Sequence, residues 1–138
     1  MNPLRWLRSV EGGWWFGRRI APRIAVTLAP AAGYGVERVP LEGGGVVAAN
    51  HFSAIDHPLI GSFSPRPLYF LAKAELFEIP VLGSVLSWLG VFAVRRGEGD
   101  REAVRRAREL VREGHLVCVH VEGTRQRFAI RVRSIRAG

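Results

Sequence analysis

His51 and Asp56 stand five residues apart in Asn50-His51-Phe52-Ser53-Ala54-Ile55-Asp56-His57-Pro58, directly after an apolar run. An imidazole and a carboxylate in this order suit a general base and the partner that orients it. Residues five apart on a helix point in different directions, so the pair does not share a helix face. The spacing suits a loop carrying His51 and a helix starting at Asp56. Asp56 is a favoured N-cap type, and Pro58 is tolerated in a first turn. A plainer reading stays open, in which Asp56 only caps and His51 only fills a loop.

A neutral histidine, with an ordinary pKa of about 6.5, takes a proton from an alcohol at physiological pH. The nucleophile then need not belong to the protein. No Ser has Gly two residues before it, so a G-x-S-x-G elbow is absent. Ser53 is better placed to hydrogen-bond near His51 than to attack. Cys118, the single cysteine, lies in the apolar run Leu116–Val121. It reads as a buried, reduced thiol of a cytoplasmic protein, which argues against thiol catalysis. A substrate hydroxyl is left as the nucleophile. Arg95, Arg96 and Arg125 could hold an anionic group by paired hydrogen bonds. The helix start at Asp100 could add backbone amides, although Glu98 and Asp100 oppose a purely anionic site. In so Arg-rich a chain, each Arg could equally be surface charge. His51, Asp56 and His57 could be metal ligands, but no further ligand has diagnostic spacing, and no metal is expected.

The elements that must position these groups follow from pattern. The length of 138 residues allows one domain, and 48% hydrophobic residues can fill its core. Val36–Val39 reads as a short strand and Val46–Ala49 as a buried strand ending at Asn50. Asp56–Phe63 reads as a short helix and Leu68–Ala72 as a second buried strand. Glu75–Leu89 is helical in places, interrupted by Pro80 and Gly83. Val91–Val94 is a third strand. Asp100–Glu113 is the clearest helix: Asp100 caps it, and Ala103, Val104, Ala107, Leu110 and Val111 form one apolar stripe. Glu102–Arg106 and Arg105–Glu109 add i,i+4 pairs, and Gly114 ends it. Leu116–Val121 is the next strand. Strand, helix and strand in this order make a βαβ unit, so the fold class is α/β, a partly parallel sheet with flanking helices. Active groups in such sheets gather beyond the carboxyl ends of the strands. Three polar loops qualify there: Asn50–Asp56, Arg95–Gly99 and Glu122–Arg125.

The net charge is +8, and Lys73 is the only lysine among the 20 basic residues. That charge favours a phospholipid surface, a phosphate-bearing substrate or nucleic acid. No nucleic-acid motif accompanies it, so nucleic acid is not an expected partner. Residues 1–32 combine Trp6, Trp14, Trp15 and Phe16 with Arg5, Arg8, Arg18, Arg19 and Arg23. This is the composition of a segment lying in a membrane interface, although an ordinary helix packed on the domain would look similar. No stretch is long enough for a clear transmembrane helix. The basic region before Ile24 is too long and aromatic for a secretory signal.

With these residues in view, the chain resembles the glycerolipid acyltransferases, typified by 1-acyl-sn-glycerol-3-phosphate acyltransferase. His51-Phe52-Ser53-Ala54-Ile55-Asp56 matches their H-x4-D signature. Lys73-Ala74-Glu75-Leu76-Phe77 is similar to the segment between motifs. Gly90-Val91-Phe92-Ala93-Val94-Arg95-Arg96-Gly97 resembles the second motif and Glu122-Gly123-Thr124-Arg125 the third. The resemblance implies acyl transfer from acyl-CoA or acyl-carrier protein to the hydroxyl of a lysophosphatidic acid-type acceptor, in phospholipid biosynthesis, with no cofactor. It implies His51 as base and Asp56 as orienter. Arg96, Gly97, Glu122, Gly123, Thr124 and Arg125 would bind the phosphate-bearing acceptor. It also implies a peripheral place at the cytoplasmic face of the cell membrane.

Two departures stand out. The family usually has Phe-Pro before Glu-Gly-Thr-Arg, where this chain has His120-Val121. The family also continues beyond its third motif, whereas residues 126–138 alternate Arg with apolar residues and resemble none of it. The expected division is therefore an amphipathic segment at 1–32, an incomplete acyltransferase domain at 33–125 and an atypical basic tail at 126–138, as in a truncated or frame-shifted chain. The alternative reading is a non-catalytic membrane-surface fragment of such an enzyme.

Overall fold

The computed structural model describes residues 11–17, 19–20, 32–95, 100–123 and 125. Four strands form one sheet: β1 (Gly45–Ala49), β2 (Leu68–Lys73), β3 (Val91–Val94) and β4 (Leu116–His120). Its order is β1-β4-β2-β3, and every pairing is parallel. The last of these described strands therefore inserts between the first two. All four carboxyl ends leave the same edge of the sheet. The α-helices between the described strands are α1 (Asp56–Phe63), α2 (Leu82–Trp88) and α3 (Arg101–Arg112).

Burial explains which residues make which strand. In β4 Leu116, Val117 and Cys118 are all buried, as expected of a central parallel strand covered on both faces. Leu68, Phe70, Leu116 and Cys118 form the core, with Val47, Ala49, Ile60 and Val91 packed on it. Burial pushes the Cys118 thiol up to about 12, which keeps it protonated and unreactive. β1 lies at the sheet edge, and alternate residues are half-buried, with Val46 63% exposed.

α3 begins as its sequence dictates. Asp100 accepts hydrogen bonds from the N–H groups of Glu102 and Ala103, both at 3.1 Å, and also from Arg95 N–H at 2.7 Å. These amides are satisfied by the cap, so the helix start does not offer them to an anion as expected. Gly114 ends the helix at φ 91°, a value glycine adopts without steric cost. Ala103 and Leu110 are buried, and truncating Leu110 to Ala would cost about 2–5 kcal/mol. Val104, expected in the apolar stripe, is 49% exposed, because the helix buries a narrower face than five positions. Arg105 bridges Glu102 and Glu109, taking the Glu102 partner that the sequence had assigned to Arg106.

Two other expectations change. Val36–Arg38 is a 3-10 turn instead of a strand, entered through Gly35 at φ 75° and closed by the Val39 N–H donating to Val36 O. Gly83 lies inside α2 and does not interrupt it. Its lack of a side chain is needed there, since a Cβ would stand 2.4 Å from Phe77 O, in the 3-10 helix Ala74–Phe77. Pro80 falls in the turn before α2, where Val81 holds φ 69°, a strained value for a β-branched residue.

Residues 11–17 are helical and pack on the end of α2. Gly12 and Gly13 are buried, and the Phe16 and Trp88 rings lie 5.5 Å apart. The outer side leaves Trp15 and Phe16 exposed, with the Arg19 guanidinium over the Trp15 ring at 4.5 Å. Among the described residues no helix is long and apolar enough to cross a membrane.

Candidate active site

The β1–β4 ladder sets the site. Its register pairs Ala49 with His120, so Asn50-His51 and Val121-Glu122 leave the sheet side by side. Val121 N–H donates to Ala49 O at 3.1 Å and continues the ladder. Glu122 then spans the gap with both carboxylate oxygens. One accepts the Asn50 side-chain amide at 2.6 Å, and the other accepts the His51 backbone N–H at 3.0 Å. The Asn50 hydrogen bond is the first cause that holds the Glu122 carboxyl below its ordinary range. Glu122 thus joins the two motif loops.

The His51 side chain is buried, and its Nδ1 donates to Asp56 Oδ2 at 2.9 Å. A carboxylate only accepts, so this bond places the proton on Nδ1 and leaves Nε2 as the basic nitrogen. Asp56 occupies the first turn of α1, but it does not cap that helix as expected. The N-cap position is Ile55, and no side chain caps it. Asp56 Oδ2 turns back to accept Phe52 N–H at 2.7 Å and Ser53 N–H at 2.8 Å. Burial alone would raise the Asp56 pKa. The hydrogen bonds from Ser53, His51 and Phe52 outweigh it and hold the carboxyl below its usual value. The loop is thus wound around a carboxylate that stays charged, aimed at the imidazole. Ser53 has a hydrogen-bonding role, as expected: its Oγ accepts Ile55 N–H at 3.4 Å.

A cavity of about 790 Å³ is lined by His51, His57 and His120. Its wall is mostly apolar and includes Gly61 of α1, Leu68 and Phe70 of β2, Leu86 of α2 and Trp14. Gly123, Arg125 and Lys73, at the end of β2, line the same cavity. Arg125 is exposed. Of the loops expected to meet, Asn50–Asp56 and the described part of Glu122–Arg125 do so. Arg96, Gly97 and Thr124 lie outside the described residues.

Sequence reasoning missed a cluster of rings around the base. The His51 and His120 rings stack at 4.1 Å between centroids, 24° apart in plane. His57 meets His120 edge-on at 4.7 Å and His51 at 5.6 Å. His57 Nε2 donates to Leu71 O at 3.3 Å. Burial foremost, then the charge of His120, moves the His57 pKa down. In the sequence His57 stands out only as a neighbour of Asp56 and a possible metal ligand with it. His120 was noticed only as a departure from Phe-Pro. The alternation of β4, with Leu116 and Cys118 inward, would have put His120 on the same face.

A parallel α/β sheet with a carboxylate-oriented histidine beyond its first strand, facing an apolar cavity, defines a class of acyl-transferring sites. The chain belongs to the acyltransferase family, whose profile, described as Acyltransferase, matches residues 32–138. It is similar to 1-acyl-sn-glycerol-3-phosphate acyltransferase of Bacillus subtilis (strain 168), with 30% identity over 67% of this chain and 47% of that protein. Lyso-ornithine lipid O-acyltransferase of Pseudomonas aeruginosa is 38% identical over 55% of this chain and 29% of its own. The crystal structure of the 1-acyl-sn-glycerophosphate (LPA) acyltransferase PlsC from Thermotoga maritima superposes with a TM-score of 0.64. Identity there is 30%, over 82% of this chain and 45% of that one. The chain spans less than half the length of these relatives.

Proposed function

We propose that this chain carries the catalytic half of an enzyme that moves a fatty acyl group from a thioester, acyl-CoA or acyl-carrier protein, to the hydroxyl of a lysophosphatidic acid-type acceptor in phospholipid biosynthesis. The observation that carries this reading is the His51–Asp56 pair, with His51 lining an apolar cavity. His51 Nε2 takes the proton of the acceptor hydroxyl as its oxygen attacks the thioester carbonyl. The carbon–sulfur bond of the resulting tetrahedral adduct then breaks, and the imidazolium returns the proton to the leaving thiolate. Asp56, kept charged, stabilises the imidazolium between these steps. The apolar cavity suits an acyl chain, and Arg125, with Arg96 from the second motif, suits the acceptor's phosphate.

A second acceptor, lyso-ornithine lipid, is favoured by the Pseudomonas aeruginosa relative. The membrane surface enters the same proposal. The exposed Trp15 and Phe16, together with the arginines of residues 1–32, suit a peripheral enzyme at the cytoplasmic face. The test is acyl transfer by the purified chain from radiolabelled acyl-CoA and acyl-carrier protein, with lysophosphatidic acid and lyso-ornithine lipid as parallel acceptors. Product with the first acceptor supports the main reading, and product with lyso-ornithine lipid alone favours the second. No product with any pair favours the non-catalytic fragment.

A further inference from the structure

We propose that His120 is a positioning residue for the base, a ring that holds His51 for proton transfer and stops the reaction when it becomes charged. The proposal rests on the acyl-transfer role of His51 given above. Two contacts fix the His51 imidazole: Asp56 holds the Nδ1 edge at 2.9 Å, and the His120 ring lies on its face at 4.1 Å. One hydrogen bond still lets a ring rotate about the bond axis. A stacked neighbour restricts that rotation and fixes where Nε2 points, which proximity catalysis requires.

His120 is itself anchored. Its Nδ1 donates to Asn50 O at 3.1 Å, the carbonyl directly before His51. Because a carbonyl only accepts, Nδ1 carries a proton, and the neutral ring then has a bare Nε2. That Nε2 is buried and meets no hydrogen-bond partner among the described residues. A second proton would put a donor there with no acceptor. It would also set a positive charge against the ring that must become an imidazolium during the reaction. Like charges at this separation oppose each other strongly once water is excluded.

The charged or titratable groups around His120 come from several elements. His51 and Asp56 lie on the loop after β1 and the start of α1, with His57 also on α1. Glu122 follows β4, and Lys73 and Arg125 line the same cavity. A phenylalanine ring at position 120 would stack equally well and never charge. The histidine therefore adds a proton-dependent brake.

The experiment compares the full chain with His120→Ala and His120→Phe. In acyl transfer, His120→Ala should lower kcat about ten- to a hundredfold while the acceptor KM stays within about twofold. His120→Phe should recover most of kcat. Its rate should fall with acid more shallowly than the parent's, because the ring against His51 can no longer take up a proton. Parent-like kcat in His120→Ala, or an acid limb as steep in His120→Phe as in the parent, would overturn the proposal. If the parent transfers no acyl group, the function has failed but His120 is still tested by the imidazole proton resonances of His51. Their response to pH should be spread over a wider range in the parent than in His120→Phe, His57 being common to both. The same response in both proteins overturns the proposal without activity.

Discussion

The backbone N–H of His51 donates to the Glu122 carboxylate at 3.0 Å, across 71 positions of sequence. The same carboxylate holds Asn50, so Glu122 fixes the position of the base from the end of the neighbouring strand. This gives Glu122 a structural task beside the acceptor-binding role that the family resemblance implies.

Glu122→Ala should therefore slow catalysis through geometry, with a loss of about tenfold or more in kcat. Glu122→Gln keeps one acceptor oxygen and should fall between. The check is the split of kcat and acceptor KM in both variants. An effect confined to acceptor KM would return Glu122 to substrate binding alone.

His51→Ala should remove about 10²–10⁴-fold of the acyl-transfer rate, the usual worth of a positioned base. Asp56→Asn should leave a small residual rate. It retains an oxygen for the Phe52 and Ser53 amides but loses the charge that supports an imidazolium. Single-turnover acyl transfer measures both, and full activity in His51→Ala would refute the base assignment.

Arg125→Ala should raise the KM for a phosphate-bearing acceptor about tenfold or more, and the donor KM much less. A lost charge-assisted contact costs about 1.5–3 kcal/mol. Arg96→Ala, at the second motif, should act in the same direction. Steady-state kinetics with each substrate varied separately decides the matter, and unchanged acceptor KM in both variants rules the phosphate role out.

His57 makes folding stability depend on pH. Its pKa is moved down in the folded chain, chiefly by burial. The unfolded chain therefore binds the proton more readily, and stability falls as pH drops below about 6.5, until the folded-state value is passed. Urea unfolding between about pH 7.5 and pH 5 should show a larger loss in the parent than in His57→Gln. Equal losses in the two proteins would exclude this linkage.

Residues 1–32 should hold the protein on anionic vesicles, partly through charge and partly through Trp and Phe. Each basic residue near such a surface contributes about 1 kcal/mol, and salt screens it, whereas the aromatic part survives salt. Co-sedimentation of the full chain should exceed that of a chain starting at Gly33. Equal binding would leave residues 11–17 as a packed helix only.

The parts of the site set by local sequence were legible. The His51–Asp56 pair lies within one loop and one helical turn, and the bounds of α1 and β3 followed from pattern. The Glu122 bonds and the His120 stack were not, because both depend on β4 lying beside β1. Chain order puts β4 after β3, and nothing local announces that it crosses over β2. Val36–Val39 misled because two valines at its ends suggest a strand, while Gly35 at φ 75° turns the chain into a 3-10 turn. Asp56 misled because its residue type fits a cap, yet the loop amides behind it compete for the same oxygen and win.

The insertion of β4 between β1 and β2 also governs when the site can exist. Until that strand is threaded into the middle of the sheet, His51 has neither Glu122 beneath its backbone nor His120 against its ring. Pairing across some seventy residues is slow to find and cooperative once found. The base is therefore assembled by the global folding transition, and a chain that loses β4 from the sheet loses the base's support with it.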